Sequence, residues 1–353
     1  MPLLSIIIPA YNAGTTLSRA AESICNDKTP EIEVILIDDG STDNTPALCD
    51  ELAASDERIH VLHTENSGQG IARNRGMALA RGKYIAFCDA DDVVMLDGLF
   101  KLIDKADEIG ADIVCGSYCR NDGKSIERIH SELPSGRVEW SDDRHSLYHR
   151  IKTESLFGYI FNKVYRREWM EREKIAFNDV KRFFMEDTLF NLKAYAHNPV
   201  YYYLNEPVYV YTTNNVSTVR SPNLKIAEQM SATLDEYRDY LDAIGAYERQ
   251  TELFVPLAMR MFCYSFVKNR PYEKPNFRGI KRQFGIFRGC RAFNAMLGDK
   301  IGSRDLRYLP YASQRWFFGL SYNMLRWHAD NLLAFGFLIC GPLMERYIKA
   351  MVK

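Results

Sequence analysis

Short apolar runs alternate with helix-spaced segments through the first third of the chain. Residues 3–8 are a β-branched apolar run that ends at Pro9 and reads as a buried strand. Between Thr15 and Cys25 the positions Leu17, Ala20, Ala21 and Ile24 recur at helical spacing, with Thr15 or Thr16 as the cap. The pattern repeats: strands are predicted over 33–37, 59–62, 84–88 and 112–117, and helices over 45–54, 70–80 and 97–109. Strands separated by helices of this length imply βαβ units, hence an α/β fold with a mostly parallel sheet flanked by helices and right-handed crossovers. In such sheets ligands gather beyond the carboxyl ends of the strands. Those positions hold Pro9-Ala10-Tyr11-Asn12, then Asp38-Asp39-Gly40-Ser41, then Asp89-Ala90-Asp91-Asp92, so acidic and polar groups converge on one edge.

The pattern changes further along. Residues 116–143 are polar and turn-rich, a loop or a hairpin insertion. Residues 157–166 and 199–213 are aromatic and β-branched and read as strands, with a helix over 187–196 between them. Leu224, Ala227, Met230, Leu234, Tyr237, Leu241 and Ile244 fall on one face of a predicted helix. From about residue 253 the pattern is helical and rich in large aromatics. The expected organisation is therefore a ligand-binding domain over 1–220 and a mainly helical region over 221–353.

Charge sharpens that division. The chain of 353 residues has a net charge of only -1. From Arg260 onward there are 17 Lys and Arg against 5 Asp and Glu, a net of +12, and the remainder carries −13. A basic tail on an acidic body points to a polyanionic partner, a membrane surface or nucleic acid. Composition is otherwise ordinary, 46% hydrophobic and 26% charged, which excludes wholesale disorder. The 8 cysteines form no C-x-x-C pair, no basic-then-apolar leader opens the chain, and the apolar stretch 331–344 is short and broken for a membrane span. A cytosolic protein with reduced thiols is the expectation.

Four clusters could carry chemistry. Asp89 and Asp91, one residue apart after a strand, could face one Mg²⁺ or Mn²⁺ and leave positions open for phosphate oxygens; a polar turn capping the next helix is the simpler alternative. Asp39 could accept hydrogen bonds from a base or a ribose, while Gly40 to Asp43 make a turn and a cap. The glycine-rich stretch 66–74 enters a helix and could offer backbone N–H groups to phosphate, with Arg73 as a fixed positive charge. It is neither a P-loop nor G-x-G-x-x-G, so a dehydrogenase or an NTPase is poorly supported. Glu186 and Asp187 open a helix, where acids are favoured by the dipole, and either could act as a general base.

Together these stretches resemble a known family. SIIIPAYN (5–12), VILIDDGSTDNT (34–45), NSGQGIARNRGMALARGKYIAFCDADD (66–92), FNKVYRREW (161–169) and FMEDTLFNLKA (184–194) resemble the family 2 glycosyltransferases of bacterial polysaccharide assembly, in order, over roughly residues 3–215. The resemblance implies a GT-A (Rossmann-like) fold with a C-terminal helical extension. It implies inverting transfer from a nucleotide-sugar, usually UDP-linked, to a glycan or lipid-linked acceptor in capsule, exopolysaccharide or O-antigen synthesis. It places Pro9, Tyr11 and Asn12 in the nucleoside pocket, Asp39 on the uracil, Arg73 on the donor side, and Asp89 toward the ribose and diphosphate. By the same resemblance Asp91, with Asp89, would carry Mn²⁺ or Mg²⁺, and Asp187 would be the base, with Glu186 beside it to orient it or to touch the acceptor.

The tail lies outside the resemblance. Phe277, Ile280, Phe284 and Phe287 recur at helical spacing while Arg278, Lys281, Arg282, Arg288 and Arg291 occupy other faces, and an aromatic segment with Trp316, Phe317, Phe318 and Trp327 follows. Basic, aromatic amphipathic helices suit a membrane interface and a peripheral place at the inner face of the cell membrane. The alternative is a helical subdomain packed on the first domain or on a second copy in a homodimer, and Gly279, Gly285 and Gly289 favour it by weakening the helix. A non-catalytic nucleotide-sugar-binding scaffold is the rival function. Nucleic acid is disfavoured because no recognisable module accompanies the basic charge.

Overall fold

The computed structural model describes residues 1–26, 29, 31–138, 155–213, 222–268, 276–298 and 312–339. The described residues form two compact units. The first comprises the residues up to 138, Leu156–Lys181 and 185–213; the second comprises Ser155, Arg182–Phe184, 222–268, 276–298 and 312–339.

In the first unit the chain runs β1 (Leu4–Ala10), α1 (Leu17–Cys25), β2 (Ile32–Asp38), α2 (Thr45–Ser55), β3 (Ile59–His63), α3 (Gln69–Leu79), β4 (Tyr84–Phe87), β5 (Val93–Val94), α4 (Leu96–Ile109), β6 (Ile113–Asn121), β7 (Ile126–Ile129), β8 (Gly136–Val138), β9 (Lys163–Arg166), α5 (Arg167–Arg172), α6 (Glu186–Ala196) and β10 (Tyr201–Thr212). The strands make one sheet in the order β3-β2-β1-β4-β9-β6-β10-β5, with β7 on β6 and β8 on β10. β1 pairs in parallel with β2 and β4, β2 with β3, and β6 with β10; β9 runs antiparallel between β4 and β6. Every residue of β1 and β2 is buried, as expected of parallel strands covered on both faces.

Most predicted elements are present, shifted by a residue or two. β1 passes through Pro9 to Ala10 instead of stopping before it. Proline lacks an N–H and is tolerated where the ladder on one side has ended. β4 pairs with β1 only up to Ile7, while β2 continues alongside to Ala10. The polar stretch after 116 is a hairpin as far as it is described: β6 extends to Asn121 and folds back on β7. The strand expected over 157–166 is only Lys163–Arg166, preceded by a 3₁₀ turn at Ser155–Phe157. Buried side chains take the carbonyls a ladder would have used. Asn162 Nδ2 donates to Leu156 O at 3.0 Å, Lys163 Nζ to Leu156 O at 3.0 Å, and Asn191 Nδ2 to Gly158 O at 2.9 Å.

The second unit holds α7 (Ile226–Ala243), α8 (Tyr247–Lys268), α9 (Phe277–Gly289), α10 (Arg291–Gly298), α11 (Ala312–Arg326) and α12 (Asp330–Ile339). Leu224, expected on the buried face, lies before the first turn of α7 and is exposed. The core is phenylalanine-rich: Phe262 stands 5.3 Å from Phe284, 5.2 Å from Phe287 and 5.4 Å from Phe293, ring to ring. This packing of α9 outweighs its glycines, and Asn276 caps the helix by accepting from Gly279 N at 2.8 Å. No described helix is long and apolar enough to cross a membrane. The tail segment from residue 340 lies outside the described residues. Cys25, Cys49, Cys88, Cys115, Cys119 and Cys290 are free thiols.

Candidate active site

Three loops at the carboxyl ends of β1, β2 and β3 are tied together by polar side chains. Asn12, at φ 51°, accepts from Thr42 N at 2.8 Å, and its own N–H donates to Ser41 Oγ at 3.0 Å. Thr45 Oγ1 accepts from Ala13 N at 2.8 Å. Gly40 adopts φ +72°, and a Cβ there would lie 2.6 Å from Asn66 N, so only glycine lets these loops approach. Asp39 is buried and accepts from Ser67 N at 2.8 Å and Gly68 N at 2.7 Å. Its carboxylate thus orders the glycine-rich turn that leads into α3. Pro9 is buried within β1, and Tyr11 is half exposed on the loop after it.

α3 delivers Arg73 to the centre of the site. The side chain is 1% exposed, and a guanidinium so buried must be paired. Nη1 donates to Asp187 Oδ1 at 2.7 Å and Nη2 to Asp89 Oδ1 at 2.8 Å, with Glu186 Oε1 3.6 Å from Nη1. The ring of Phe177 covers the guanidinium at 5.4 Å. Gln69, one turn earlier, donates through Nε2 to Glu186 Oε1. One fork therefore aligns the turn after β4 with the first turn of α6. Met185, at φ 60°, makes the sharp entry that brings Glu186 and Asp187 there.

Electrostatics separate the acids. Burial pushes the Asp187 carboxyl up to about 7, Arg73 opposes the rise, and Glu186 and Asp89 add to it. Burial likewise raises Asp92 to about 8, helped by Asp89 and Asp91. Asp92 accepts from Tyr209 Oη at 2.8 Å and Thr212 N at 2.6 Å, and Tyr209 Oη accepts from Asp89 N at 3.0 Å. It holds the acidic turn against β10, while Asp89 and Asp91 stay partly exposed.

Of the predicted residues, the structure joins Arg73, Asp89, Glu186 and Asp187 by direct contacts. It joins Asp39 to them through the turn preceding α3, and places Asp91 on the same turn as Asp89. Arg73 was expected on the donor side; both its terminal nitrogens lie on carboxylates. Gln69 was not anticipated, and Tyr209, read as strand packing or one of several tyrosines for sugar stacking, instead hydrogen-bonds the acidic turn through Asp92 and Asp89 N. Gln69 stands in the glycine-rich stretch one helical turn before Arg73, which could have signalled it; nothing local marks the bond of Tyr209 to Asp92.

A metal was expected at Asp89 and Asp91. No group of three or more His, Cys, Asp and Glu side chains forms a cage among the described residues. Two carboxylates at one turn still suit Mg²⁺ or Mn²⁺, which complete their shells with water and phosphate oxygens. The residues fit such an ion.

The sequence profile described as Glycosyl transferase family 2 matches residues 5–173. The chain is 34% identical to the "Uncharacterized glycosyltransferase EpsJ" of Bacillus subtilis over 262 residues, 72% of this chain and 75% of that protein. It is 33% identical to the "Succinoglycan biosynthesis protein ExoO" of Rhizobium meliloti over 52% of this chain and 53% of that protein. Among solved structures, S. aureus TarS 1-349 in complex with UDP superposes with a TM-score of 0.68 at 18% identity, covering 94% of this chain and 90% of that one. The same protein in complex with UDP-GlcNAc gives 0.66 at 17% identity, with the same coverage. Both likenesses establish the fold. The sheet is mixed, with parallel pairing among β1 to β4 and between β6 and β10 and antiparallel pairing elsewhere; with that sheet, its acidic strand ends and these relatives, the chain belongs to the family 2 glycosyltransferases and has their GT-A fold.

Proposed function

We propose that this enzyme moves a sugar, with inversion, from a UDP-linked donor to a hydroxyl of a glycan or lipid-linked acceptor in surface polysaccharide assembly. The observation that carries this reading is the Arg73 fork, which holds Asp187 and Asp89 on either side of one buried cation. The UDP and UDP-GlcNAc of the TarS structures support a uridine nucleotide as donor.

Asp187 is the general base. A carboxyl raised toward neutrality is still ionised in part at cytoplasmic pH and is more basic than an exposed one, which suits proton removal from a hydroxyl. As the acceptor oxygen bonds to the anomeric carbon, its proton passes to Asp187 and the bond to the diphosphate breaks, its electron pair leaving with the phosphate. Attack on the face opposite the leaving group inverts that carbon, and no enzyme nucleophile is required. Glu186, held by Gln69, orients the base or touches the acceptor. Asp39 shapes the nucleoside side by ordering Ser67 and Gly68, and Pro9, Tyr11 and Asn12 border it. Asp91 and Asp89 hold Mn²⁺ or Mg²⁺, which when bound neutralises charge on the diphosphate. Work at the inner face of the cell membrane completes the reading, given a lipid-linked acceptor and a basic tail.

Calorimetric titration of UDP, GDP, CDP and dTDP, with and without Mn²⁺, tests the donor site. Metal-dependent binding of UDP is expected. Preference for another nucleotide replaces the donor, and no binding by folded protein overturns the proposal.

A further inference from the structure

Three packed helices of the second unit expose side chains unlike those of an ordinary protein surface. α12 buries Leu333, Ala334 and Phe337, yet its opposite side carries Leu332, Phe335 and Ile339, 65%, 54% and 61% exposed. A helix apolar on both sides belongs in a core or against an apolar phase. α11 buries Phe318, Tyr322 and Leu325 and exposes Trp316 and Leu320, with Trp327 just past its end; the two tryptophans are 69% and 72% exposed. α9 buries Ile280, Phe284 and Phe287 and exposes Arg278, Lys281 and Arg282, and no acid occurs between Phe277 and Gly289.

These three faces belong to one assembly. α12 packs on both α9 and α11. Arg288 of α9 bonds to Asp330 at the start of α12 at 2.6 Å and also to the Leu325 carbonyl near the end of α11. The tryptophans, the aliphatic ridge and the cations are thus carried on a fixed frame.

We infer that the exposed groups of this frame dock the chain on a lipid bilayer containing anionic headgroups. Exposed Trp, Phe, Leu and Ile supply the interfacial apolar contact, and Arg278, Lys281 and Arg282 supply the attraction to negative lipid. A second copy of the chain is the poorer occupant: a two-fold contact on this face brings like charges together. Docking here gives a definite surface to the membrane association proposed above. It is independent of which sugar moves, so nucleotide titration and lipid binding can fail separately.

The test is sedimentation of the full chain with vesicles of phosphatidylcholine alone, or of phosphatidylcholine and phosphatidylglycerol in equal parts. Binding to the anionic vesicles, with a blue shift of tryptophan emission and weakening in added salt, is expected. Changing Lys281→Gln and Arg282→Gln together should weaken binding roughly 30-fold, at about 1 kcal/mol for each basic residue. Changing Leu332→Ser and Phe335→Ser should remove the blue shift and reduce binding at least about tenfold. Circular dichroism and melting of each variant guard against misfolding, and the charge variants leave the apolar packing untouched. Binding to neither vesicle, or full binding by both folded variants, overturns the inference. So does a dimer in solution that the serine substitutions convert to monomer.

Discussion

Arg73 and Arg282 carry the same guanidinium into opposite surroundings. Arg73 is buried by Phe177 and paired with Asp89 and Asp187, with Glu186 close by, and its position is specified to within a hydrogen bond. Arg282 stands on the exposed side of a helix that contains no acid. The first cation works by geometry: in a low dielectric it fixes where two carboxylates can be. The second can act only by field: an exposed cation attracts a charged surface without choosing a partner atom, and salt screens it. On the two proposals above, one residue type serves both to position acids for chemistry and to place the molecule.

The largest effect should follow from breaking the buried member. Arg73→Met leaves acids without their counter-charge, and removing one partner of a buried pair costs about 3–5 kcal/mol. Asp187 and Asp89 are 27% and 34% exposed, so hydration discounts this toward the lower end. Denaturant unfolding should show the loss, with transfer abolished; unchanged stability would mean the acids do not depend on the fork. Next, Asp187→Asn should keep the fold and nucleotide binding while lowering transfer about 10²–10⁴-fold. Because the Asp187 pKa is raised, the base is lost as pH falls: wild-type transfer should decline on going below about 7, and the variant's residual rate should lack that limb. A wild-type rate without the limb would move the base to Glu186. The smallest effect sharpens the contrast from the other side. Arg282→Gln should leave the unfolding free energy within about 0.5 kcal/mol, as for other surface changes. A larger loss would make Arg282 a structural cation.

The alternating strands and helices were legible because each is a local pattern: period two or a continuous apolar run for strands, period near four for helices. The positions after β1, β2 and β4 were legible for the same reason, since a parallel sheet gathers the carboxyl ends of its strands. Asp39, Asp89 and Asp91 could therefore be named before any contact was known, while Glu186 and Asp187 were named as acids opening a predicted helix and by the resemblance. The hydrogen bond between Gln69 and Glu186 could not be, because it spans 117 positions and nothing local records it. Nor could the strand expected over 157–166 be shortened, because the groups that capture its carbonyls, Asn191 among them, are brought there by folding.

Sequence alone determined the element types, the acidic edge, the basic tail and, by resemblance, the family. Tertiary structure decided three things: that β9 enters the sheet antiparallel between β4 and β6, that Arg73 faces carboxylates, and that one side of α12 stays uncovered. Hydrophobic periodicity says which side chains leave water but not which partner receives them. A buried charge is positioned by groups far away in the chain, and an exposed apolar face is recognisable only once every other face has been packed.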